Sequence, residues 1–210
     1  MDAPHFPLSI VSRPAEATPR VSIVIPVYRG AKTVGRLVGA LVAGLAESYD
    51  LEIVLVNDGS PDNSAAVCRQ LAAEVRAVKF VNLSRNFGEH NAVMAGLNHA
   101  TGECAVIMDD DFQNPPEEVS KLVEELRQGY DVVFSYYETK QHHWLRNVAS
   151  RLNNLAASVL LHKPGDVYLS SFKAINRFTI DEIVKYQGPY PYLDGLDRKS
   201  TRLNSSHIPL

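Results

Sequence analysis

The stretch that decides the fold reads Cys104-Ala-Val-Ile-Met-Asp-Asp-Asp-Phe-Gln113. Its first half is the apolar run of a buried strand, and three consecutive carboxylates follow at once. Like charges this close repel, and partial burial raises the free-energy cost of keeping them all ionised. A divalent cation relieves such repulsion, because carboxylate and amide oxygens are the ligands that Mg²⁺ and Mn²⁺ prefer. The stretch therefore predicts a metal site at the end of a strand.

Alternation along an extended segment sorts these side chains into two sets. Asp109, Asp111 and Gln113 are expected to point one way, and Asp110 is expected to point the other way. Open α/β sheets bind their ligands at the carboxyl ends of the strands, where this set of oxygen ligands would lie. The competing interpretation is a solvated turn, because the following Asn114-Pro115-Pro116 is typical turn sequence.

Strand-like and helix-like segments alternate along the chain. The strand-like runs cover residues 21–27, 51–56, 78–83, 104–108 and 131–136. The helix-like segments cover residues 33–47, 62–75, 89–100, 117–128 and 144–161. Alternation at this spacing predicts βαβ units, and near-continuous apolar strands favour a sheet that is covered on both faces. We expect an α/β fold with a mostly parallel central sheet, whose carboxyl ends share one edge.

Two further motifs follow predicted strands and would reach that edge. Asp58, in Asn57-Asp-Gly-Ser-Pro-Asp62, could accept hydrogen bonds from a base N–H group or a ribose hydroxyl. Arg85 could lie near phosphates, because a guanidinium matches phosphate oxygens in bidentate fashion. An ordinary strand–helix turn is the alternative for both motifs, and in the first of them Asp62 or Ser60 would cap the next helix. The glycine-rich fingerprints of dinucleotide-binding proteins and P-loop proteins are absent, which counts against those classes.

The length, charge, cysteine content and apolar runs of the chain limit the possible functions. The chain has 210 residues, enough for one domain with a short appendage, and its formal charge of −3 gives no support for nucleic-acid binding. Cys68 and Cys104 lie in apolar segments, so we expect buried free thiols rather than a disulfide. Free thiols are typical of proteins in a reducing compartment. Residues 1–20 form a proline-containing irregular lead-in without the apolar core of a signal peptide. No apolar run reaches the roughly 18 residues that a bilayer-spanning helix needs.

The end of the sequence does not fit the rest. The segment Asp197-Arg-Lys-Ser-Thr-Arg-Leu-Asn-Ser-Ser-His207 is polar and lacks the periodicity of a strand or helix. It is also the translation of a DNA string that looks like a common sequencing-library adapter. We therefore expect residues 197–210 to be non-native, and residues 21–196 to be a domain that is truncated at its carboxyl end. A genuine polar tail is the alternative, and independent reads of the gene would distinguish the two.

Taken together, these motifs resemble the inverting family-2 glycosyltransferases. The matching stretches are residues 22–28, 56–64, 83–88, 108–117 and 170–177. The pattern D-x-D-x-Q-x-P-P-E, which begins at Asp109, is similar to the branch that contains dolichol-phosphate mannose synthase and bacterial polyprenyl-phosphate glycosyltransferases. The resemblance implies the GT-A fold, a Rossmann-like three-layer sandwich. It also implies transfer of a sugar from a UDP- or GDP-sugar to a polyprenyl phosphate, in synthesis of cell-envelope glycans or glycolipids.

The resemblance also implies roles for donor-side residues. Pro26, Tyr28 and Asp58 would surround the base and ribose of the nucleotide, with Arg85 near its phosphates. Asp109 would contact both the donor and the metal ion.

On the metal and acceptor side, Asp109, Asp111 and Gln113 would hold Mg²⁺ or Mn²⁺ against the diphosphate. Arg146 and Ser150 match a pair that meets the acceptor phosphate in that branch. That branch often has an arginine just after the fifth strand, whereas here the sequence is Ser135-Tyr-Tyr137, which leaves the acceptor site open. Such enzymes act on the cytoplasmic face of the plasma membrane and carry membrane segments after the catalytic domain. A homo-oligomer is compatible with the resemblance.

Alternative functions remain at this point. A lipid phosphate is already an anionic nucleophile, so Arg146 would supply electrostatic support and no strong base is needed. Transfer to a glycan hydroxyl needs a base, for which Asp110 and Asp194 are candidates. A sugar-nucleotide nucleotidyltransferase would need a glycine-rich basic loop after the first strand, which 28–32 matches poorly. A non-catalytic sugar-nucleotide-binding module is the last alternative.

Overall fold

A single seven-stranded sheet organises the part of the chain that the computed structural model describes, residues 18–112, 114–136, 169–186, 188 and 205–209. The strands are β1 (Arg20–Val27), β2 (Asp50–Asn57), β3 (Val78–Asn82), β4 (Cys104–Ile107), β5 (Val132–Tyr136), β6 (Leu169–Asn176) and β7 (Ser205–Pro209). The helices are α1 (Val34–Leu45), α2 (Ser64–Glu74), α3 (Glu89–His99), α4 (Glu118–Leu126) and α5 (Arg177–Ile183). The strand order is β3-β2-β1-β4-β6-β5-β7. The α/β fold with a mostly parallel sheet is confirmed.

The sheet lies between two hydrophobic layers because its central strands are apolar on both faces. In β1, Ile23 and Ile25 pack into the layer formed with α1, α2 and α4. Val24, between them in sequence, packs into the opposite layer with α3 and α5. The result is a three-layer sandwich that holds the carboxyl ends of β1 to β4 in fixed positions.

The first turn of α2 differs from the sequence prediction. Asn63, not Asp62, occupies the N-cap position of this helix. The Asp62 carboxylate accepts hydrogen bonds from the backbone N–H of Ser64 at 3.1 Å and from the Ser64 hydroxyl at 2.5 Å. Its other oxygen accepts from the backbone N–H of Ala31 at 3.4 Å, after β1. Asp62 therefore joins two loops in addition to supporting the start of a helix.

Strand β6 is an element that the apolar pattern did not predict. It runs antiparallel between β4 and β5, with Ile107 paired to Lys173 and Cys104 paired to Asn176. Its sequence mixes serine, lysine and asparagine with apolar residues, so it lacks the continuous apolar run that marks the parallel strands. This strand extends past the carboxyl end of β4 and brings Ser171 beside the acidic run.

The carboxyl-terminal segment contains a strand where none was predicted. β7 pairs in parallel with β5, in the register Val132 to Ser205 and Tyr136 to Pro209. A sheet edge recruits a neighbouring segment through backbone hydrogen bonds, which require no side-chain periodicity. The non-native origin of residues 197–210 stays a prediction. Across the described ranges, no helix is long and apolar enough to cross a membrane.

Candidate active site

The carboxyl ends of β1, β2, β3 and β4 meet along one edge of the sheet, and most of the predicted site residues lie there. Pro26 lies in β1, with Tyr28 just beyond it, and Asp58 follows β2. Arg85 follows β3, and the acidic run follows β4. The paired registers place the ends of β1, β2 and β3 side by side. Gln113, Arg146, Ser150 and Asp194 lie outside the described residues.

Asp109, the first residue of the acidic run, is held by a residue of β6. The Ser171 hydroxyl donates a hydrogen bond to Asp109 Oδ2 at 2.5 Å. Burial raises the pKa of Asp109, the Ser171 hydrogen bond lowers it, and the negative charge of Asp111 raises it, with a net upward shift. The surrounding protein thus only partly offsets the cost of ionising the Asp109 carboxylate.

Asp110 contacts a different part of the protein, at the start of the loop that leads to α1. A Cβ atom added to Gly30 would lie 1.8 Å from Asp110 Oδ2, so only glycine leaves room for this carboxylate. Burial, together with repulsion from Asp111 and Asp109, raises the pKa of Asp110 to about 6. Within the described part of the chain, its buried Oδ2 has no hydrogen-bond partner. The sequence prediction missed Gly30, because glycine before a helix reads as an ordinary turn residue.

The acidic run fits a hard divalent cation that completes its coordination with other ligands. Among the described residues, no three His, Cys, Asp or Glu side chains already converge into a metal cluster. The upward pKa shifts of Asp109 and Asp110 and the unpartnered oxygen of Asp110 mark negative charge that a cation would stabilise. Carboxylate oxygens are the donors such a cation prefers, with water or phosphate oxygens filling the remaining positions.

The backbone beyond the acids is strained. Phe112 has a φ of 63°, in the left-handed region that a bulky residue rarely adopts. Its ring, 36% exposed, lies 5.4 Å from the guanidinium of Arg36 in α1. Strain of this kind persists only where the surroundings impose it and is common at functional sites. The conformation turns the chain sharply just after Asp111.

Asp58 connects the loop after β2 to the loop after β3. Its Oδ1 accepts a hydrogen bond from the backbone N–H of Phe87 at 2.7 Å, and its Oδ2 accepts from that of Gly88 at 2.9 Å. Gly59 has a φ of 59°, and an added Cβ there would lie 2.3 Å from the backbone of Arg85. The carboxylate therefore fixes the loop that carries Arg85, an arrangement that the sequence prediction did not include. Its predicted contact with the base or ribose stays a prediction.

Ser60 joins the loop after β1 to the same arrangement. Its hydroxyl donates to the carbonyl of Val27 at 3.3 Å and accepts from the backbone N–H of Arg29 at 3.2 Å. Its own backbone N–H donates to Asn57 Oδ1. Arg29 is the second residue with a left-handed backbone, at φ 61°. Hydrogen bonds therefore link the loops that follow three adjacent strands.

Exposed side chains project from these linked loops. Tyr28 is 46% exposed and Phe87 is 42% exposed. The guanidinium of Arg85 lies 4.8 Å from the ring centre of Phe87, and that of Arg29 lies 5.3 Å from the ring centre of Tyr28. Aromatic faces and guanidinium groups together suit a planar base with an anionic tail.

The sequence matches the model of the family described as Glycosyl transferase family 2 over residues 22–184. The chain belongs to this family. The match begins within β1 and includes β2 to β6 and all of the acidic run. It stops before the segment predicted to be non-native.

Curated relatives share substantial sequence with the chain. The undecaprenyl-phosphate 4-deoxy-4-formamido-L-arabinose transferase of Enterobacter sp. (strain 638) is 41% identical over 172 residues, which cover 80% of this chain and 52% of that protein. The transferase of the same name from Sodalis glossinidius is 42% identical over 168 residues, covering 79% and 51%. The chain therefore spans about half the length of these relatives.

Solved structures of glycosyltransferases share the fold. Glucosyl-3-phosphoglycerate synthase from Mycobacterium tuberculosis, in complex with Mn²⁺, uridine diphosphate and phosphoglyceric acid, superimposes with a TM-score of 0.68 at 17% identity, covering 95% of this chain and 74% of that one. A complex of the same enzyme with Mg²⁺ and uridine diphosphate gives a TM-score of 0.67 at 18% identity, covering 94% and 75%. At this identity the likeness establishes the fold, and the GT-A architecture is confirmed.

Proposed function

We propose that this chain is the catalytic domain of a metal-dependent, inverting glycosyltransferase that transfers a sugar from a nucleotide sugar to a polyprenyl phosphate. The observation that carries the proposal is the acidic run, in which the pKa values of Asp109 and Asp110 are raised, beside the linked loops after β1, β2 and β3. The names of the relatives support undecaprenyl phosphate as the acceptor. The pathway would be synthesis of a cell-envelope glycan or glycolipid.

The donor half of the site would bind a UDP- or GDP-sugar. Tyr28, with Pro26 and Asp58 near it, would contact the base and ribose, and Arg85 would face the phosphates. Asp109 and Asp111, together with Gln113, would hold Mg²⁺ or Mn²⁺. When bound, the cation supplies Lewis-acid stabilisation of the nucleoside diphosphate leaving group. The neighbours solved with Mn²⁺ or Mg²⁺ and uridine diphosphate support this assignment.

The acceptor half would use the anionic character of the lipid. A phosphate oxygen attacks the anomeric carbon from the side opposite the leaving group, and the configuration therefore inverts. No strong base is required, because the phosphate already carries negative charge near neutral pH. Arg146 and Ser150 would orient it, at the cytoplasmic face of the membrane. Assembly of the protein into a homo-oligomer would be compatible with this site.

A glycan hydroxyl is the second candidate acceptor. The buried oxygen of Asp110, which lacks a hydrogen-bond partner among the described residues, is the observation that favours it. A hydroxyl nucleophile needs a carboxylate close to the anomeric carbon to take its proton. In this reading Asp110 is catalytic, whereas with a lipid phosphate it serves only to support the acidic run.

The test uses the protein encoded by the complete gene, purified in detergent. It is incubated with a panel of UDP- and GDP-sugars, Mn²⁺ and either undecaprenyl phosphate or a soluble oligosaccharide. A lipid-linked sugar that forms with Mn²⁺ and disappears with EDTA is the expected product. Transfer to the oligosaccharide alone would favour the second candidate. Absence of turnover with every donor would contradict both.

A further inference from the structure

Ser171 lies opposite Asp109 across the β4–β6 pair, and its hydroxyl is placed by the strand that carries it. The next residue, Phe172, is completely buried in the hydrophobic layer, and Lys173 pairs with Ile107. These neighbours fix the position of the Ser171 backbone without any contribution from its hydroxyl. The hydroxyl donates to Asp109 Oδ2 at 2.5 Å.

The hydrogen bond opposes a repulsion inside the acidic run. The terminal torsion of an aspartate is soft, so a carboxylate without a partner rotates easily. Asp111 carries the same charge nearby and would turn the Asp109 carboxylate away from a shared ligand. A donor on Oδ2 restricts that rotation and leaves Oδ1 to face a ligand. Donors behind a ligating carboxylate orient it in the same way in metal sites generally.

We propose that Ser171 is a positioning residue, which orients the Asp109 carboxylate for a divalent cation that is bound together with the nucleoside diphosphate. The inference rests on the metal site of the proposed function and deepens it. It assigns part of that site to β6, an antiparallel strand outside the βαβ units that carry the other site residues.

The experiment measures Mn²⁺ binding directly, by the electron paramagnetic resonance signal of free Mn²⁺ in the presence of uridine diphosphate. The full-length protein is compared with its Ser171→Ala, Ser171→Thr and Ser171→Cys variants. We expect Ser171→Ala to weaken Mn²⁺ binding about 10- to 100-fold, the usual effect of losing a partner of a metal ligand. Threonine keeps the hydroxyl and should bind Mn²⁺ like serine. Cysteine, a weaker donor of similar size, should fall between them.

A matched control is available at the other end of the sheet. Ser22→Ala also removes a serine hydrogen bond to a carboxylate, from Ser22 Oγ to Glu52 Oε2 at 2.6 Å. We expect this variant to be less stable to heat but to bind Mn²⁺ with unchanged affinity. Donor turnover gives a second measurement, since Ser171→Ala should regain most of its rate at saturating Mn²⁺.

The outcomes separate this inference from the proposed function. If the unmodified protein binds Mn²⁺ and Ser171→Ala binds it equally well, the role of Ser171 is wrong and the metal site stands. Equal weakening of Mn²⁺ binding in Ser171→Ala and Ser22→Ala would show that the effect comes from general destabilisation. That result would also overturn the inference. Failure of the unmodified protein to bind Mn²⁺ with uridine diphosphate would overturn both proposals.

Discussion

A carboxylate with a buried oxygen lies at each end of the same sheet, and the surroundings of the two carboxylates differ. At the amino end, Glu52 is 2% exposed and accepts hydrogen bonds from Ser22 Oγ at 2.6 Å and from the backbone N–H of Thr101 at 2.8 Å. Lys79 Nζ lies 2.6 Å from its other oxygen. Burial raises the pKa of Glu52, but the donors, led by Lys79, outweigh it and lower the pKa from 4.5 to about 2.

At the carboxyl end the balance is reversed. Asp110 lacks donors to its buried oxygen among the described residues, and the pKa rises to about 6. Burial therefore penalises the charged form at both ends, and only at Glu52 do the donors outweigh that penalty. The amino end satisfies its carboxylate within the protein, as a structural site does. The carboxyl end leaves negative charge for a ligand to neutralise.

The largest effect should follow from removing the two proposed carboxylate ligands of the metal. The double variant Asp109→Ala, Asp111→Ala should lower Mn²⁺-dependent hydrolysis of the sugar donor by at least about a hundredfold, because the leaving group loses its electrostatic stabilisation. The exposed acid variant Asp181→Ala is the control and should keep full turnover. Unchanged turnover in the double variant would rule out the metal site.

Removing the Glu52 carboxylate, which has its hydrogen-bond donors within the protein, should affect stability rather than donor turnover. Glu52→Gln is expected to lower the free energy of unfolding by about 3 kcal/mol at pH 7, because the shift from 4.5 to about 2 measures the preference of the fold for the charged form. The folded pKa is depressed, so this stabilisation is present above pH 4.5 and is lost as the pH falls towards 2. Chemical denaturation at several pH values should show the two proteins converging in acid.

The control for that prediction is the exposed neighbour Asp50, whose carboxylate lies 3.7 Å from Arg20 Nε. Asp50→Asn should cost less than about 1 kcal/mol, as exposed ion pairs do. A difference between Glu52→Gln and the unmodified protein that stays constant from pH 7 to pH 2 would contradict the assigned cause.

A smaller effect is expected at the junction between the loops. Gly59→Ala places a Cβ against the Arg85 backbone and strains a left-handed φ, so it should cost about 1–2 kcal/mol of stability and raise KM for the donor. Gly129→Ala is the matched control: its φ is 106°, yet an added Cβ would meet no described atom within 4 Å. It should cost stability and leave KM unchanged. Equal KM changes in both variants would indicate a general effect of strain.

The smallest effect should come from the carboxyl-terminal segment. Deleting residues 197–210 removes β7, which contributes Ile208 to the edge of one hydrophobic layer and a hydrogen bond from Ser206 Oγ to Glu125 Oε1. We expect a small fall in melting temperature and unchanged donor hydrolysis, because the segment lies on the far side of β5 from the acidic run. A loss of donor hydrolysis would mean that the segment belongs to the enzyme.

Local pattern was sufficient to predict the parallel part of the fold. Apolar runs such as 21–27 and 104–108 are long and uniform, so they identify central strands, and the polar residues that follow them mark the ligand edge. Strand β6 was missed because its mixed sequence gains its apolar contacts only once β4 and β5 flank it. Ser171 was missed for the same reason, since its partner is 62 positions away in the sequence.

The sequence pattern could not predict some other contacts, because they are hydrogen bonds between a side chain and backbone groups. Asp58 was predicted to face a ligand, and no sequence signal shows that the amides of Phe87 and Gly88 reach its carboxylate. Glu52 interrupts an otherwise apolar strand, which was the one available hint that a buried charge has dedicated partners. For residues that form hydrogen bonds between loops, the sequence therefore predicts which residue types take part, but not which group each one contacts.

The hydrogen bonds of Asp58 and Ser60 have a consequence for the thermodynamics of donor binding. Three loops that would otherwise lose freedom when a nucleotide arrives are already tied to one another in the folded chain. These loops lose their conformational entropy when the chain folds, so less entropy is lost when the nucleotide binds. More of the interaction energy then contributes to affinity. The proposed nucleotide side of the site should therefore behave as a rigid receptor.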